Sequence, residues 1–347
     1  MRRATTCAVG VLAALLLGSA VEVADAARLH IDGPTKAKFV SDAGPGHLAG
    51  LGSDDWLLSD GERWVIYSPL GHPTVQLLLD DRTGRRRRIA SGCAAVDAIP
   101  GVFLLVCGSD HHAALLFPRT GRMHAITGLQ PGDAFSRIGR YWLEGSHPLP
   151  PDCDEDCQRF EDPGLFVNWH TGRRWECPSF RDDQEYWRRH NCVHDLDNPG
   201  IKELRLDDPR GDGEDGRFGR YQINTLGKGL TLFWPGHQMV LAPYFSLCEE
   251  QLAAAWVTWF TGCSYRDQGA VHAYNVLTHR RVRWTVVPLV NPNNDAQAIY
   301  LEDPPALAVH TATSLYLLVL RSTTGPTDAP VAKRYALYRL AFPADRN

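Results

Sequence analysis

The sequence has little lysine and no net positive charge. Five of its 36 basic residues are Lys, and the formal net charge is −4. A nucleic-acid-binding domain usually presents a basic surface, so this balance argues against nucleic acid as a partner. The chain is 44% hydrophobic and 22% charged, which is typical of a globular protein with a sizeable core and unlike a disordered one.

Long apolar runs and helical periodicity are also scarce. Beyond the N-terminal segment, no stretch approaches the ~20 apolar residues that a transmembrane helix needs. Residues 248–256 are the best candidate for an amphipathic helix, and they are short for one. We therefore expect an all-β protein whose mature chain has no transmembrane segment.

Motifs that would define a reaction are missing. The sequence contains no phosphate-binding glycine loop, no nucleophile elbow and no H-E-x-x-H helix. Acidic clusters at residues 152–156 and 207–215 lack the ordered ligands of an EF-hand loop. We predict no catalytic residue, no metal and no cofactor, while Ca²⁺ and Zn²⁺ stay open as alternatives.

The N-terminal segment has the three parts of a bacterial signal peptide. Arg2 and Arg3 precede an apolar run over residues 8–17, and Ala24-Asp25-Ala26 supplies the small residues of a cleavage site. A membrane anchor is the alternative, but the run has about half the length that spans a bilayer. We predict a signal peptide at residues 1–26, a single domain at 27–347, and a secreted, extracytoplasmic protein.

The mature chain keeps an even number of cysteines, which in an exported protein favours disulfides. They are Cys93, Cys107, Cys153, Cys157, Cys177, Cys192, Cys248 and Cys263. The clearest pair is Cys93 with Cys107, because the turn signal Pro100-Gly101 lies midway between two strand-like runs. Spacing also suggests Cys248 with Cys263, while the pairing among positions 153, 157, 177 and 192 stays open.

A zinc site is the alternative for part of this set. Cys177, His190, Cys192 and His194 are ligand types close together in sequence. Structural zinc usually shows paired C-x₂₋₄-C and H-x₃₋₅-H spacings, and here only Cys153 and Cys157 come near that pattern. Disulfides are therefore favoured over zinc.

A nine-residue pattern recurs along the chain: a β-rich run, a turn, and a basic residue that opens another strand. Clear copies begin at Leu77, Ala114 and Leu165, each ending in Thr-Gly-Arg, and weaker copies begin at residues 220, 273 and 335. Glycine supplies the positive φ that a tight hairpin needs. Repeats of about 40 to 50 residues with four strands each predict a β-propeller, here of six four-stranded blades.

A pair of β-sandwiches or a solenoid is the alternative with the same strand density. The last copy ends with the chain, so its blade lacks an outer strand. Residues 29–32 or 38–40 could supply that strand from the N-terminus and close the propeller.

Residues 59–65, Ser-Asp-Gly-Glu-Arg-Trp-Val, resemble the start of the "S-x-D-G-x-x" blade repeats of TolB-type and WD-repeat-like propellers. The Thr-Gly-Arg turns are similar to the third-to-fourth-strand hairpins of those blades. A regular Gly-His…Trp-Asp signature is missing, so the chain is not placed among true WD-repeat proteins. The resemblance implies a scaffold and no particular reaction, because propellers host binding modules and enzymes alike.

Propeller topology places the loops between second and third strands on one face, which we call the long-loop face. Long loops on a rigid scaffold usually carry function. We therefore predict binding residues there, namely His72, Asp110, His111, His147, Tyr265 and Asp267.

The favoured function is a disulfide-stabilised binding scaffold for a protein, a glycan or a cell-envelope component. The alternative is an extracytoplasmic hydrolase or lactonase with a metal near the propeller axis, and a structural envelope protein is the third hypothesis. The lack of a catalytic motif favours a binding protein over an enzyme without deciding between them.

Overall fold

The computed structural model describes residues 30–44, 57–72, 74–109, 112–127, 129, 134–137, 142–146, 165–171, 174–176, 217–224, 229–243, 247–261, 269–287, 306–324 and 332–344. These ranges form β-strands and turns. Within them, no helix is long and apolar enough to cross a membrane. The predicted signal peptide lies outside the described residues, as do five of the eight mature cysteines.

Two short strands, β1 (His30–Asp32) and β2 (Lys38–Ala43), begin the described chain. Blade 1 contains β3 (Leu57–Ser59), β4 (Trp64–Tyr67), β5 (Leu77–Asp80) and β6 (Arg86–Arg88). Blade 2 contains β7 (Cys93–Ile99), β8 (Val102–Cys107), β9 (His112–Phe117) and β10 (Arg122–Ala125). Blade 3 contains β11 (Ala134–Arg137), β12 (Trp142–Ser146), β13 (Leu165–Asn168) and β14 (Arg174–Glu176).

The second half of the chain continues the same pattern. Blade 4 contains β15 (Arg217–Phe218), β16 (Tyr221–Asn224), β17 (Leu230–Trp234) and β18 (His237–Ala242). Blade 5 contains β19 (Leu247–Ala253), β20 (Trp256–Thr261), β21 (Gly269–Asn275) and β22 (Arg281–Val287). Blade 6 contains β23 (Ala306–His310), β24 (Ser314–Thr324) and β25 (Ala332–Ala341).

The N-terminal strands complete the last two blades. Strand β2 pairs antiparallel with β25, with Lys38 opposite Arg339 and Ala43 opposite Tyr335, so it is the fourth strand of blade 6. Strand β1 pairs with β22 and adds a fifth strand to blade 5. The predicted pairing of N- and C-terminal strands is therefore confirmed, with the run at 38–40 completing the blade.

The repeated turn has a common hydrogen-bonding device. The side chain of the last residue of the third strand accepts hydrogen bonds from backbone N–H groups two or three residues later. Asp80 bonds the N–H of Arg82, and Asn275 bonds the N–H groups of Leu277 and Thr278. Such Asx turns offer the backbone a local partner and stop the strand.

Five of the six predicted copies of the repeat coincide with a third strand, but the copy at residue 220 is wrong. Tyr221–Asn224 is β16, the second strand of blade 4. The third strand is β17, which turns at Gly236 with a φ of 75°. The glycine that permits the hairpin is therefore Gly236, because a tight turn needs positive φ at that point.

Residues 248–256, the best helix candidate, also fold differently. They form most of β19 and a tight turn in which Ala254 and Ala255 have positive φ. Leu252 packs with Val257 and Ile223 between blades 4 and 5. This packing between sheets outweighs the weak helical periodicity of a short segment.

The core lies between the blades. Hydrophobic clusters join blades 1 and 2, 2 and 3, 4 and 5, 5 and 6, and 6 and 1. The central strands are buried on both faces, as in β4, where Trp64 to Tyr67 are all buried. Central strands therefore read as continuous apolar runs, because neighbouring blades cover both faces of each sheet.

A buried polar cluster fastens blade 6 to blade 1. Asp81, the residue after β5, accepts hydrogen bonds from the hydroxyls of Thr311 (2.6 Å), Thr313 (2.5 Å) and Tyr316 (2.8 Å). Its other partner is the Arg339 guanidinium at 2.6 Å. Burial alone would raise the pKa of Asp81, but the three hydroxyls and the Arg339 charge together lower it.

The first strands of blades 5, 6 and 1 are linked through His310. The Ser59 hydroxyl donates to the His310 carbonyl at 2.6 Å, and the His310 N–H donates to the Gln251 side-chain oxygen at 3.1 Å. Burial lowers the pKa of His310 to about 4, so its ring is neutral at pH 7. These bonds hold three neighbouring blades in register at their inner edge.

The predicted Cys93–Cys107 disulfide is confirmed. The two cysteines face each other in the register of β7 and β8, and their sulfurs are bonded. Both side chains are buried in the cluster between blades 1 and 2. The bond therefore clamps the two inner strands of blade 2 at the end away from the Pro100-Gly101 turn.

Replacing Cys93 with Ser is expected to lower the free energy of unfolding by about 3 kcal/mol, because a loop of this length then regains its freedom in the unfolded chain. Urea titration of the variant measures the loss, and a thiol assay should report Cys107 as newly reactive after denaturation. A variant with wild-type stability, or without the new thiol, would contradict the assignment.

Candidate functional site

Most of the binding residues predicted on the long-loop face lie outside the described residues. These are Asp110, His111, His147, Tyr265 and Asp267. His72 is described, and it is exposed in the connection from β4 to β5. The long-loop face thus stays a prediction.

The described residues instead form a groove on the opposite face, between blades 1 and 2. In an antiparallel blade, the first-to-second and third-to-fourth turns lie at the same edge, which we call the hairpin face. The groove has a volume of about 580 Å³. Its blade-1 wall is the turn after β3, and its blade-2 wall is Gly101, residues 117–120, Arg122 and His124.

Asp60 shapes the blade-1 wall. One carboxylate oxygen accepts hydrogen bonds from the backbone N–H groups of Glu62, Arg63 and Trp64 at 2.8–3.0 Å. The other oxygen, Oδ2, is buried and has no hydrogen-bond partner among the described residues. Burial raises the pKa of Asp60 against the lowering effect of the three N–H groups, and the Glu62 charge raises it further.

Ser59 and Gly61 tie this wall to the neighbouring blades. The Ser59 hydroxyl accepts the Gly61 N–H and donates to the His310 carbonyl in blade 6. Gly61 has a φ of 72°, and a Cβ added there would lie 2.5 Å from the Cβ of Ala253 in blade 5. The Ser-Asp-Gly motif thus forms a tight turn that fixes the position of the blade-1 wall of the groove.

Replacing Gly61 with Ala should lower the free energy of unfolding by about 2–4 kcal/mol, because a positive φ and a steric clash act together. Gly84, in the third-to-fourth turn of blade 1, is the matched control. It has a φ of 69° and nothing within 4 Å of the added Cβ, so Gly84→Ala should show only the smaller backbone effect. Equal losses in the two variants would mean that the contact with Ala253 contributes nothing.

Trp64 forms the floor of the groove on the blade-1 side. Two arginine guanidinium groups lie over its ring. Arg63 lies 5.0 Å and Arg87 lies 5.3 Å from the ring centroid. The Arg63 guanidinium also holds both oxygens of Asp80, at 2.8 and 2.6 Å. This pair lowers the pKa of Asp80 and neutralises Arg63.

Arg87 braces the groove across the two blades. In β6 the side chains alternate: Arg86 bonds the Val40 carbonyl of β2, and Arg87 bonds the Pro118 carbonyl of blade 2. The period-two alternation of a strand sends successive side chains to opposite faces. The arginine run at residues 85–88, which the sequence places on an outer strand, therefore contacts the blades on both sides.

The blade-2 wall carries unneutralised positive charge. Phe117 and Pro118 provide an apolar surface, and the turn that follows closes through the Thr120 and Gly121 N–H groups on the Phe117 carbonyl. Arg122 and His124 are two residues apart in β10 and share a face. Within the described part of the chain, no carboxylate forms an ion pair with Arg119 or Arg122.

Sequence reasoning missed this groove. The Arg119-Thr120-Gly121-Arg122 segment was identified as a turn signal, and its two arginines were not assigned a role. The hint was present, since arginine flanks the turn in two neighbouring repeats. The repeat pattern does not show that a turn of blade 1 and two turns of blade 2 come together in the folded protein.

Among the residues that the structure describes, no three His, Cys, Asp or Glu side chains lie close enough together to hold a metal ion. The groove itself offers carboxylates from one wall and cations from the other, which suits polar recognition through hydrogen bonds and charge.

No family model and no curated protein sequence matches the chain. Similar solved structures include TolB from Acinetobacter baumannii (10% identity, TM-score 0.31, 76% of this chain and 59% of that one) and Hsv2 from Kluyveromyces lactis (8%, 0.38, 80% and 96%). A third is the calcium-binding protein regucalcin from Agrobacterium tumefaciens (11%, 0.29, 88% and 95%).

The chain spans about three fifths of the TolB chain. At these identities and TM-scores, the likenesses carry no statement about activity. The class of protein is defined by the molecule itself: an all-β protein of four-stranded, propeller-type blades, with N- and C-terminal strands paired in one blade and at least one disulfide.

Proposed function

We propose that this protein is an extracytoplasmic binding scaffold that holds a component of the cell envelope in the groove between blades 1 and 2. The observation that carries the proposal is the preformed groove of about 580 Å³, a size typical of ligand sites. Its blade-2 wall bears Arg119 and Arg122 without ion-pair partners in the described chain.

The walls of the groove are held before any ligand arrives. The Asp60 turn and the Arg63–Asp80 pair fix the blade-1 wall, and the hydrogen bond from Arg87 to the Pro118 carbonyl joins blade 1 to blade 2. Preorganisation of this kind reduces the entropy lost when a ligand binds. The groove is therefore suited to bind a ligand selectively.

Export is supported by two independent features. The N-terminal segment has the signal-peptide pattern, and the Cys93–Cys107 bond is of a kind that persists in oxidising compartments. A protein outside the cytoplasm meets envelope polymers and proteins first, so these are the proposed partners.

A steric block tests the proposal. Thr120→Trp fills the groove, whereas Thr278→Trp makes the same change at an exposed position in the third-to-fourth turn of blade 5, outside the groove. The purified exported protein is mixed with an isolated envelope fraction of its host and sedimented. We expect wild type and Thr278→Trp to sediment with the envelope and Thr120→Trp to stay in solution.

Circular dichroism and thermal melting establish that both variants fold. The proposal is wrong if wild-type protein remains in the supernatant, or if both folded variants are retained equally.

A further inference from the structure

The two walls of the groove differ in charge, and this difference restricts the ligand. On the blade-2 wall, Arg119, Arg122 and His124 come from one turn and the strand that follows it. On the blade-1 wall, Arg63 is already neutralised by Asp80, while Asp60 and Glu62 contribute acidic groups. Among the described residues that line the groove, the arginines without an ion-pair partner therefore lie on the blade-2 wall.

Guanidinium groups recognise planar anions through paired N–H donors. Arginine favours carboxylate and phosphate oxygens for this reason. The protein as a whole has a net charge of −4, so an anionic ligand is drawn to this wall by local charge and not by the overall field. The ligand must accordingly present at least one acid group to Arg119 and Arg122.

The blade-1 wall presents an acceptor for a hydrogen-bond donor of the ligand. Asp60 is 3% exposed, and its Oδ2 lacks a partner among the described residues although Oδ1 accepts three N–H groups. A buried acceptor without a partner is unfavourable, because it has lost its hydrogen bonds to water and gained none in their place. A ligand hydroxyl or N–H that reaches this oxygen would remove that penalty.

The part of β10 that lines the groove distinguishes a sugar ligand from a peptide ligand. An extended peptide usually binds by adding to the hydrogen-bonding edge of a sheet. Here β10 is the outer strand of blade 2, and the residues that it contributes to the groove, Arg122 and His124, lie on one face of the strand and not along its hydrogen-bonding edge. Recognition in the groove is therefore made by side chains, which suits a ligand whose acid and hydroxyl groups project from a ring.

We infer that the groove binds an acidic oligosaccharide, with its carboxylates on Arg119 and Arg122 and a hydroxyl donated to Asp60. This inference rests on the proposed binding function and names its ligand class. The apolar surface of Phe117 and Pro118 receives the C–H face of a sugar ring.

The test uses isothermal titration calorimetry with three probes on the full exported protein. They are a galacturonic acid oligomer, the same oligomer with its carboxyl groups methyl-esterified, and a glutamate oligomer of similar charge. The protein variants are Arg119→Gln/Arg122→Gln and the matched control Arg82→Gln/Arg85→Gln, which makes the same charge change in the corresponding turn of blade 1, outside the groove.

We expect the galacturonate oligomer to bind wild type and the control variant alike. Loss of charge-assisted bonds should weaken its binding at least about tenfold in the groove variant, with a similar effect from methyl esterification. Added salt should weaken binding as well, because the groove is open to solvent.

Each other outcome overturns the inference in a recognisable way. Equal binding of the esterified oligomer means that the groove takes neutral sugars, and tighter binding of the glutamate oligomer means that the ligand is an acidic peptide. In both cases the binding scaffold survives. If no probe binds, the ligand class is wrong, while envelope retention by wild type and its loss in Thr120→Trp still decide the proposed function.

Discussion

Deletion of residues 27–44 is expected to abolish cooperative folding. It removes β2, whose pairing along β25 supplies the fourth strand of blade 6. Val40 and Ala43 also pack in the cluster between blades 6 and 1, so the deletion opens that interface to water. A domain is stable by only about 5–15 kcal/mol in total, and loss of a whole strand with its interface is of that size.

Circular dichroism and differential scanning calorimetry of the truncated protein provide the measurement. The matched control deletes residues 27–32 and removes only β1, the three-residue fifth strand on blade 5. Thr35, which bonds the Ala341 carbonyl and the Trp284 ring N–H, is kept in that control. We expect the control to melt a few degrees lower but cooperatively. An unchanged melting temperature after deletion of 27–44 would show that the N-terminal segment is dispensable.

Asp81→Asn is expected to lower the free energy of unfolding by about 3–4 kcal/mol. The change removes the negative charge that pairs with Arg339 and accepts hydrogen bonds from three hydroxyls. The Asp81 side chain that carries this charge is 2% exposed. Removing one partner of a buried ion pair usually costs about 3–5 kcal/mol, and the partly exposed Arg339 side chain places the value in the lower part of that range. Urea titration at pH 7 measures the loss.

The neighbouring residue is the control for this variant. Asp80 pairs with Arg63, whose side chain is 37% exposed and screened by solvent, so Asp80→Asn should cost about 1 kcal/mol. If the two substitutions were equally destabilising, the cluster between blades 6 and 1 would have no special importance.

Asp81 contributes to the pH dependence of stability, beside Asp80, whose pKa the Arg63 guanidinium also lowers. The pKa of Asp81 is lower in the folded protein than the value of about 3.9 in an unfolded chain. Its stabilising contribution is therefore complete above about pH 4 and is lost as the pH falls through the lower, folded pKa. Asp81→Asn should flatten this acid limb, and an unaltered limb would assign the acid sensitivity to other groups.

Local patterns predicted much of the blade architecture. The Thr-Gly turns placed the third strands of blades 1, 2 and 3, and in blades 1 and 2 the glycines, Gly84 and Gly121, have the positive φ that a tight hairpin needs. The Cys93–Cys107 pair followed from a turn signal halfway between two strand-like runs. Where the signal was weak, at residue 220, the register was wrong by one strand.

The candidate site could not be predicted in the same way. The groove brings together residues 60–64, Gly101 and residues 117–124, and each of these segments reads as an ordinary turn by itself. Loop length is visible in a sequence, and it favours the long-loop face. A groove between two blades is not visible there, since its shape depends on how neighbouring sheets pack.

By itself, then, the sequence determined the all-β class, the repeated hairpin, the first disulfide and the origin of the missing outer strand. Each of these depends on neighbours in the chain or on composition. Only the tertiary structure decided that Asp81 fastens blade 6 to blade 1 and that Arg119 and Arg122 face Asp60 across a groove. Such contacts join residues up to some 260 positions apart, as between Asp81 and Arg339, and they arise from sheet packing that no local pattern encodes.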